Sequence, residues 1–444
     1  MQLIQRDKIY CMPHPDSSQV TGNILFVHFN MKYSATIFFL TIITCSAKSQ
    51  SKTDPFLENL IRSNASVFLK DVLNQPDTFQ YQIIYTQIDR DKHNKPHFTN
   101  YYFNVDRNRY FNPASTVKLP TALVALEKIN ELKRKGVDKY TSMITDSSYE
   151  KQSTILTDTS SADGLPSVAQ YTRKIFLVSD NDAYNRLYEF NGQQTLNEKL
   201  WSKGYKDTRI TRRFVPMNEE QNRHTNAIRF MKDGKMIYEQ SAAFSTVSFD
   251  FSKKIFVGHA HYNRDDSLIN APMDFTTHNN LPLEDLRQML QSALFPKSVP
   301  RKQRFNLTDS DYKFLYQYMS ELPYESSHPK YDTTEFFDSY TKFFFFKADR
   351  GKIPTYIRSF NKPGWSYGFL TDAAYIVDFK NNIEFMISGV IYVNKDGILN
   401  DDKYEYEETG YPFFKEVGTI IYNYELKRPR KYIPDLGDFK MSYK

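Results

Sequence analysis

Helical and strand periodicities alternate along this chain, and the apolar positions alone divide it into elements. Leu57, Leu60, Ile61, Val67, Phe68, Leu69 and Val72 fall at helical spacing, which predicts one amphipathic helix over residues 55–72. Stretches 79–87 and 98–103 are rich in β-formers around a polar turn at 89–95, as expected of two antiparallel strands. A further helix is predicted over 115–135, with Leu119, Leu123, Val124, Leu126 and Ile129 on one side and Gly136 as its stop. Residues 168–190 read as two helices meeting around Ser179, and 208–219 as a loop. A hairpin over 227–239 turns at Asp233-Gly234, and 244–261 is rich in β-formers. Helical spacing returns at 283–295 and 309–322, each behind a capping signal, and the phenylalanines at 343–346 predict a buried strand or packing cluster. The last third reads as strands over 365–379 and 383–393, a polar turn at 380–382 between them, and a closing helix over 410–426.

The N-terminal region follows a different pattern. Residues 1–30 carry neither periodicity; then come Lys32, a largely apolar run over 35–45, and the small residues Ser46 and Ala47. A basic start, a short apolar stretch and a small-residue cleavage point are the layout of a secretory signal, and the run is short for a membrane span. We read 1–30 as an upstream extension, 31–47 as a signal peptide and 48–444 as one domain, so the mature chain is expected to be exported, periplasmic or secreted. Ile42-Ile43-Thr44-Cys45 also resembles a lipoprotein cleavage box, which makes a lipid anchor on Cys45 the alternative.

Composition narrows the class. With 444 residues, 40% hydrophobic and 25% charged, the chain can bury a large core, and disorder is excluded. Its net charge of +6 is scattered, with no dense basic tract or nucleic-acid motif, so no nucleic-acid partner is expected; a mildly basic surface suits an anionic substrate. Both cysteines, Cys11 and Cys45, precede the domain, which therefore has neither a disulfide framework nor a thiolate metal site. His259 and His261 are two apart without an evident third ligand and read as a polar strand face, so no metal and no organic cofactor is expected.

Three short stretches carry candidate chemistry. In Phe111-Asn112-Pro113-Ala114-Ser115-Thr116-Val117-Lys118, a turn enters a helix with Ser115 and Lys118 three positions apart, on one face. A serine hydroxyl needs a neighbouring base, and a lysine serves as one only where burial or a second cation lowers its pKa. Ser-x-x-Lys recurs at Ser49, Ser148, Ser310, Ser327, Ser339 and Ser359, so context must select Ser115. Ser179-Asp180-Asn181, at a helix junction, reads either as an N-cap or as a proton carrier with a substrate-holding amide. Asn361-Lys362-Pro363-Gly364-Trp365-Ser366 stands at a late strand, where Pro363 implies an edge and Gly364 leaves room for a ligand; the bland reading is a strand-entry turn.

Ser-x-x-Lys, Ser-Asp-Asn and Lys-x-Gly in this order resemble the penicillin-recognising serine enzymes, and residues 56–426 are similar to class A β-lactamases. The resemblance implies an α+β, β-lactamase/transpeptidase-like fold: an antiparallel sheet flanked by helices, a mostly helical lobe at about 119–345, and here a β-hairpin insertion at about 220–275. It implies Ser115 as acylated nucleophile, Lys118 as base, Ser179 as proton donor to the leaving nitrogen and Lys362 as fixed charge. Asn181, Gly364, Trp365, Ser366 and Asn218 would contact substrate, with the Ser115 and Trp365 N–H groups as oxyanion donors. The substrate expected is a β-lactam or a peptidoglycan-derived peptide, acted on by a monomer; a D,D-peptidase or esterase and a catalytically inactive envelope binding protein are the alternatives. Two positions depart from the pattern. Phe214 stands where the family carries its deacylating glutamate, with Glu219 and Glu220 out of register, and Pro363 replaces the hydroxyl residue of Lys-Thr-Gly.

Overall fold

The computed structural model describes residues 51–443. The signal segment and Cys45 lie outside the described residues. The predicted helix over 55–72 is two helices, α1 (Pro55–Asn64) and α2 (Val67–Leu73), because Ala65 and Ser66 are extended and the Ser66 side chain accepts from Leu69 N to start the second. Strands β1 (Gln82–Arg90) and β2 (Pro96–Phe103) follow as an antiparallel hairpin, Asp89 pairing with His97 rather than lying in the turn. A 3₁₀ turn (Ala114–Val117) leads into α3 (Lys118–Leu132), so the predicted helix is a tighter turn at Ser115 and α-helical only from Lys118. Strand β3 (Ser142–Asp146) was not legible in the pattern, whereas α4 (Val168–Val178) and α5 (Asn181–Asn191) meet at Ser179. Next come α6 (Gln193–Ser202), β4 (Ala227–Lys232), β5 (Lys235–Gln240), α7 (Leu283–Leu294) and α8 (Asp309–Ser320). The chain ends with β6 (Ile357–Ser366), β7 (Phe369–Asp378), β8 (Ile383–Tyr392) and α9 (Tyr411–Lys427).

The five-stranded sheet has the order β6-β7-β8-β1-β2 and is antiparallel throughout. Both faces are covered, which is why its late strands read as continuous apolar runs rather than alternating ones. On β7, Phe369, Ala373, Tyr375 and Val377 join the core shared with α3, α4 and α5, whereas Leu370, Ala374 and Ile376 join the core built on α1, α2 and α9. The fold is α+β, an antiparallel sheet with helices on both faces. The hairpin β4–β5 pairs with β3 in a small separate sheet. Beyond it, the stretch rich in β-formers contributes only short pairs such as Phe256–Val257. Phe343–Phe346 is not a strand: Phe343 and Phe344 are buried against Phe414 of α9, a packing cluster.

Candidate active site

The site begins with a turn that cannot shift. Phe111 and Val117 are buried in the core, the Asn112 side chain accepts from Ala114 N at 3.0 Å, and Thr116 Oγ1 donates to Pro113 O at 2.6 Å. Ala114 is held at φ 43°, a left-handed conformation uncommon for a residue with a side chain. Ser115 is therefore presented half-exposed on the first turn of a 3₁₀ helix, where N–H groups lack intrahelical acceptors. The Lys118 N–H donates back to Ser115 O, so serine and lysine share one turn.

The Lys118 side chain is fully buried, and its amine donates to Asn181 Oδ1 at 2.6 Å, to the Ser179 carbonyl and to Ser179 Oγ at 3.2 Å. Ser179, at φ 60° between α4 and α5, also meets a second amine: Lys362 Nζ donates to its hydroxyl at 2.8 Å and to Pro363 O at 2.8 Å. One hydroxyl thus lies between two lysines drawn from opposite ends of the sequence. The capping alternative for Ser-Asp-Asn applies only to Asp180, whose side chain accepts from Ala183 N at 2.8 Å. Burial lowers the Lys118 amine to about 7, with Asp180 opposing, and burial together with the Lys118 charge holds Lys362 well below the ordinary lysine range.

Lys362 and Gly364 come from β6, an edge strand paired only with β7, and Pro363 faces Asp372 across that pair. Asn361 to Ser366 lie near the end of this strand, not at the head of one running to 379. Tyr367 and Gly368, both left-handed, turn the chain into β7. A Cβ added at Gly364 would lie 2.8 Å from Ser115 N and from Pro113 O, and 2.9 Å from Thr116 N. Only glycine lets β6 approach the serine turn so closely, so Gly364→Ala is expected to force the two apart. The loss of stability should be about 1–3 kcal/mol, typical of overpacking, with acylation of Ser115 slowed at least about tenfold through misplacement of the reacting groups. Thermal melts and adduct formation followed by intact mass test this, and unchanged acylation would show that the contact does not set the site.

The remaining predicted positions divide. Trp365 is half-buried, packed edge-on against Tyr340 at 5.9 Å and near Phe343 at 5.7 Å, and Ser366 closes the strand half-buried. Asn218 is not gathered with the lysines: its side chain accepts from Gln221 N and caps the short helix Glu219–Arg223 in a capping box. Glu219 is engaged by Arg223 of that helix, and Glu220 by His224 just beyond its end. Phe214 does reach the site. Its N–H donates to Asn185 Oδ1 at 2.8 Å, its ring lies 4.6 Å from that of Tyr184, and Lys118 Nζ is 5.2 Å from its centre. His259 and His261 each bond a backbone carbonyl, and no cluster of metal-ligating side chains occurs among the described residues.

Residues 65–249 match the model of the beta-lactamase enzyme family. That stretch is similar to the beta-lactamase enzyme family. Among solved structures, this chain is similar to a β-lactamase from Xanthomonas campestris pv. campestris at 14% identity, over 81% of this chain and 99% of that one, with a TM-score of 0.44. Similarity to one from Sphaerobacter thermophilus has 12% identity over 82% and 98% of the two chains, TM-score 0.44. For one from Burkholderia ambifaria the values are 13%, 81%, 98% and 0.43. No curated protein sequence matches this one.

Sequence reasoning missed three buried polar groups beside the site: Lys342, Asn361 and Asp372. The available signal was a carboxylate in the middle of an apolar strand and a lysine directly before four phenylalanines.

Proposed function

We propose that this chain is an exported serine hydrolase of β-lactamase type that transfers the acyl group of an amide, a β-lactam or a peptidoglycan-derived peptide, to Ser115. The observation that carries the reading is the shared hydrogen bonding of Lys118, Ser179 and Lys362, with Gly364 closed onto the Ser115 backbone. In the proposed step, Lys118 Nζ takes the Ser115 proton as Oγ bonds the carbonyl carbon, and the N–H groups of Ser115 and Trp365 receive the oxyanion. The C–N bond then breaks as Ser179 Oγ gives its proton to the leaving nitrogen, and Ser179 is reprotonated from Lys118, which holds the proton taken from Ser115. Lys362 supplies fixed positive charge, and Asn181 holds both Lys118 and the substrate amide.

Release of the acyl group is the weaker half. Phe214 puts a ring where the related enzymes carry a carboxylate, leaving an attacking water without that base. This favours a long-lived acyl-enzyme, as a peptidoglycan D,D-peptidase could use, over fast β-lactam turnover. Incubation with a fluorescent penicillin followed by intact mass tests the proposal. A stable adduct on Ser115, absent in Ser115→Ala, is expected; rapid loss of the drug would mean a lactamase, an adduct that survives in Ser115→Ala would overturn the nucleophile, and no adduct would favour a binding protein or another substrate.

A further inference from the structure

An open cavity of about 860 Å³ lies apart from the serine. It is formed by the β1–β2 turn, the end of α7 with the chain that follows it, the first turns of α8 and the segment around Phe439. The sheet runs from β6, which carries Lys362, to β2 at its other edge, and no residue lining the cavity belongs to the proposed acyl transfer.

The floor of this cavity is aromatic and fixed. Phe295, Phe305 and Phe439 are buried, and the Phe295 ring packs against Tyr375 at 5.0 Å and Phe439 at 5.3 Å. The two half-buried rings of α8 are tied by their hydroxyls, Tyr316 donating to Leu294 O at 2.8 Å and Tyr312 to Phe305 O at 3.4 Å. The walls are cationic: Lys95 comes from the β1–β2 turn, Lys297, Arg301 and Arg304 from the chain between α7 and α8, and Lys313 from α8. Among the described residues none of these five pairs with a carboxylate, and only Arg304 makes a side-chain hydrogen bond, to Val299 O at 3.1 Å. Arg90 on the same wall is spent, held by both Glu384 oxygens at 2.5 and 2.7 Å.

Helix ends explain little of this charge. A helix C-terminus draws cations, which accounts for Lys297 just past α7 but not for the other four; of the lining carboxylates, Asp309 and Asp438, the first begins α8, where negative charge complements the helix dipole. Like charges gathered on one cavity repel one another, and a multivalent anion among them removes that repulsion. Guanidinium forks match phosphate and carboxylate oxygens equally. A rigid, ring-lined hollow with a few charged groups, within the range of about 300–1,000 Å³, is the build of a small-molecule site.

We propose that this cavity is a second binding site, for a small organic polyanion whose ring-bearing body rests on the aromatic floor while two or more phosphate or carboxylate groups meet the cations. Calorimetric titration at fixed ionic strength tests it with three probes: ATP carries a ring and phosphates, benzene-1,2,4,5-tetracarboxylate a ring and carboxylates, and tripolyphosphate charge without a ring. At least one ring-bearing probe is expected to bind with a Kd below about 1 mM, about tenfold or more tighter than tripolyphosphate. Which of the two binds tighter tells phosphate from carboxylate as the preferred group. Arg301→Glu combined with Lys313→Glu, both exposed and without side-chain partners to lose, should weaken that probe about tenfold or more. Lys395→Glu combined with Lys403→Glu is the control, because these exposed lysines lie beyond the Tyr392 end of β8, opposite the Glu384 end that Arg90 holds; binding should not change. No binding at millimolar probe, tripolyphosphate as tight as both ring-bearing probes, or binding that survives the Arg301 and Lys313 changes would overturn the proposal. So would an equal loss in the control, which would make the binding an effect of net charge alone. The titration does not involve Ser115, so its outcome is separate from that of the acyl-transfer reading.

Discussion

Replacing Phe214 with glutamate is expected to convert a persistent Ser115 adduct into one that is hydrolysed. The Phe214 main chain is pinned by Asn185 and its ring faces the Lys118 amine at 5.2 Å, so a carboxylate at this position would project toward the same amine. A positioned general base contributes roughly 10²–10⁴-fold to a proton-transfer step, and deacylation should accelerate by about that factor. The substitution has an opposite effect on the first half-reaction. A carboxylate beside Lys118 raises its pKa, so less free base is present near neutral pH and acylation there should slow. Intact-mass decay of the acyl-enzyme after removal of free penicillin reads the gain, and the penicillin-bound burst reads the loss. A folded Phe214→Glu protein whose adduct lives as long as that of the unaltered chain would show that water does not reach the ester past this position. Phe214→Ala separates ring from charge: it should leave the adduct long-lived while admitting water to Lys118.

The three motif stretches were legible because each is contiguous and its chemistry is local. What they could not reveal was which alternative applied to each. Ser-Asp-Asn is both a cap and a lysine clamp: Asp180 starts α5, while Ser179 and Asn181 turn to Lys118, a division of labour that needs the left-handed backbone at Ser179. Asn218 was expected to contact substrate from the resemblance alone, and local hydrogen bonding to Gln221 N makes it a helix cap instead.

Fold errors have similar causes. A 3₁₀ turn and an α-helix share an apolar pattern over one turn, so the break between Ser115 and Lys118 was invisible. The strand written over 365–379 is two strands because Tyr367-Gly368 makes the turn without an Asn-Gly signal. β3 is short and gains its strand character from β4, more than 80 residues on, where Asp146 pairs with Ala227. The cluster of Lys342, Asn361 and Asp372 was hidden for the same reason, since its members lie on a loop and two strands that only tertiary packing joins.

Short of removing Ser115 itself, removing the Lys118 amine should cause the largest loss of activity. Lys118→Met is expected to slow acylation of Ser115 by roughly 10²–10⁴-fold, the contribution of a positioned general base. Lys118→Arg distinguishes a base from a donor: a guanidinium keeps N–H groups for Asn181 and Ser179 but stays charged at any working pH, so it should be nearly as inactive. In the unaltered protein the amine is brought to about 7, so the acylation rate should rise about tenfold per pH unit below that value and level off above it. The same shift predicts a stability signature. Because the folded amine releases its proton near 7 and the unfolded one near 10.5, the unfolded chain binds more protons between these values, and stability rises with pH across that window. Below about 7 the folded state carries a buried ammonium at full cost; Lys118→Met removes it, whereas above the ordinary lysine pKa there is no such charge to remove. The difference in thermal midpoint between Lys118→Met and the unaltered chain should therefore shift against the variant as pH is raised from about 7 to about 10. A difference that stays constant, together with an acylation rate flat across neutral pH, would mean that Lys118 holds its proton throughout and that another group activates Ser115.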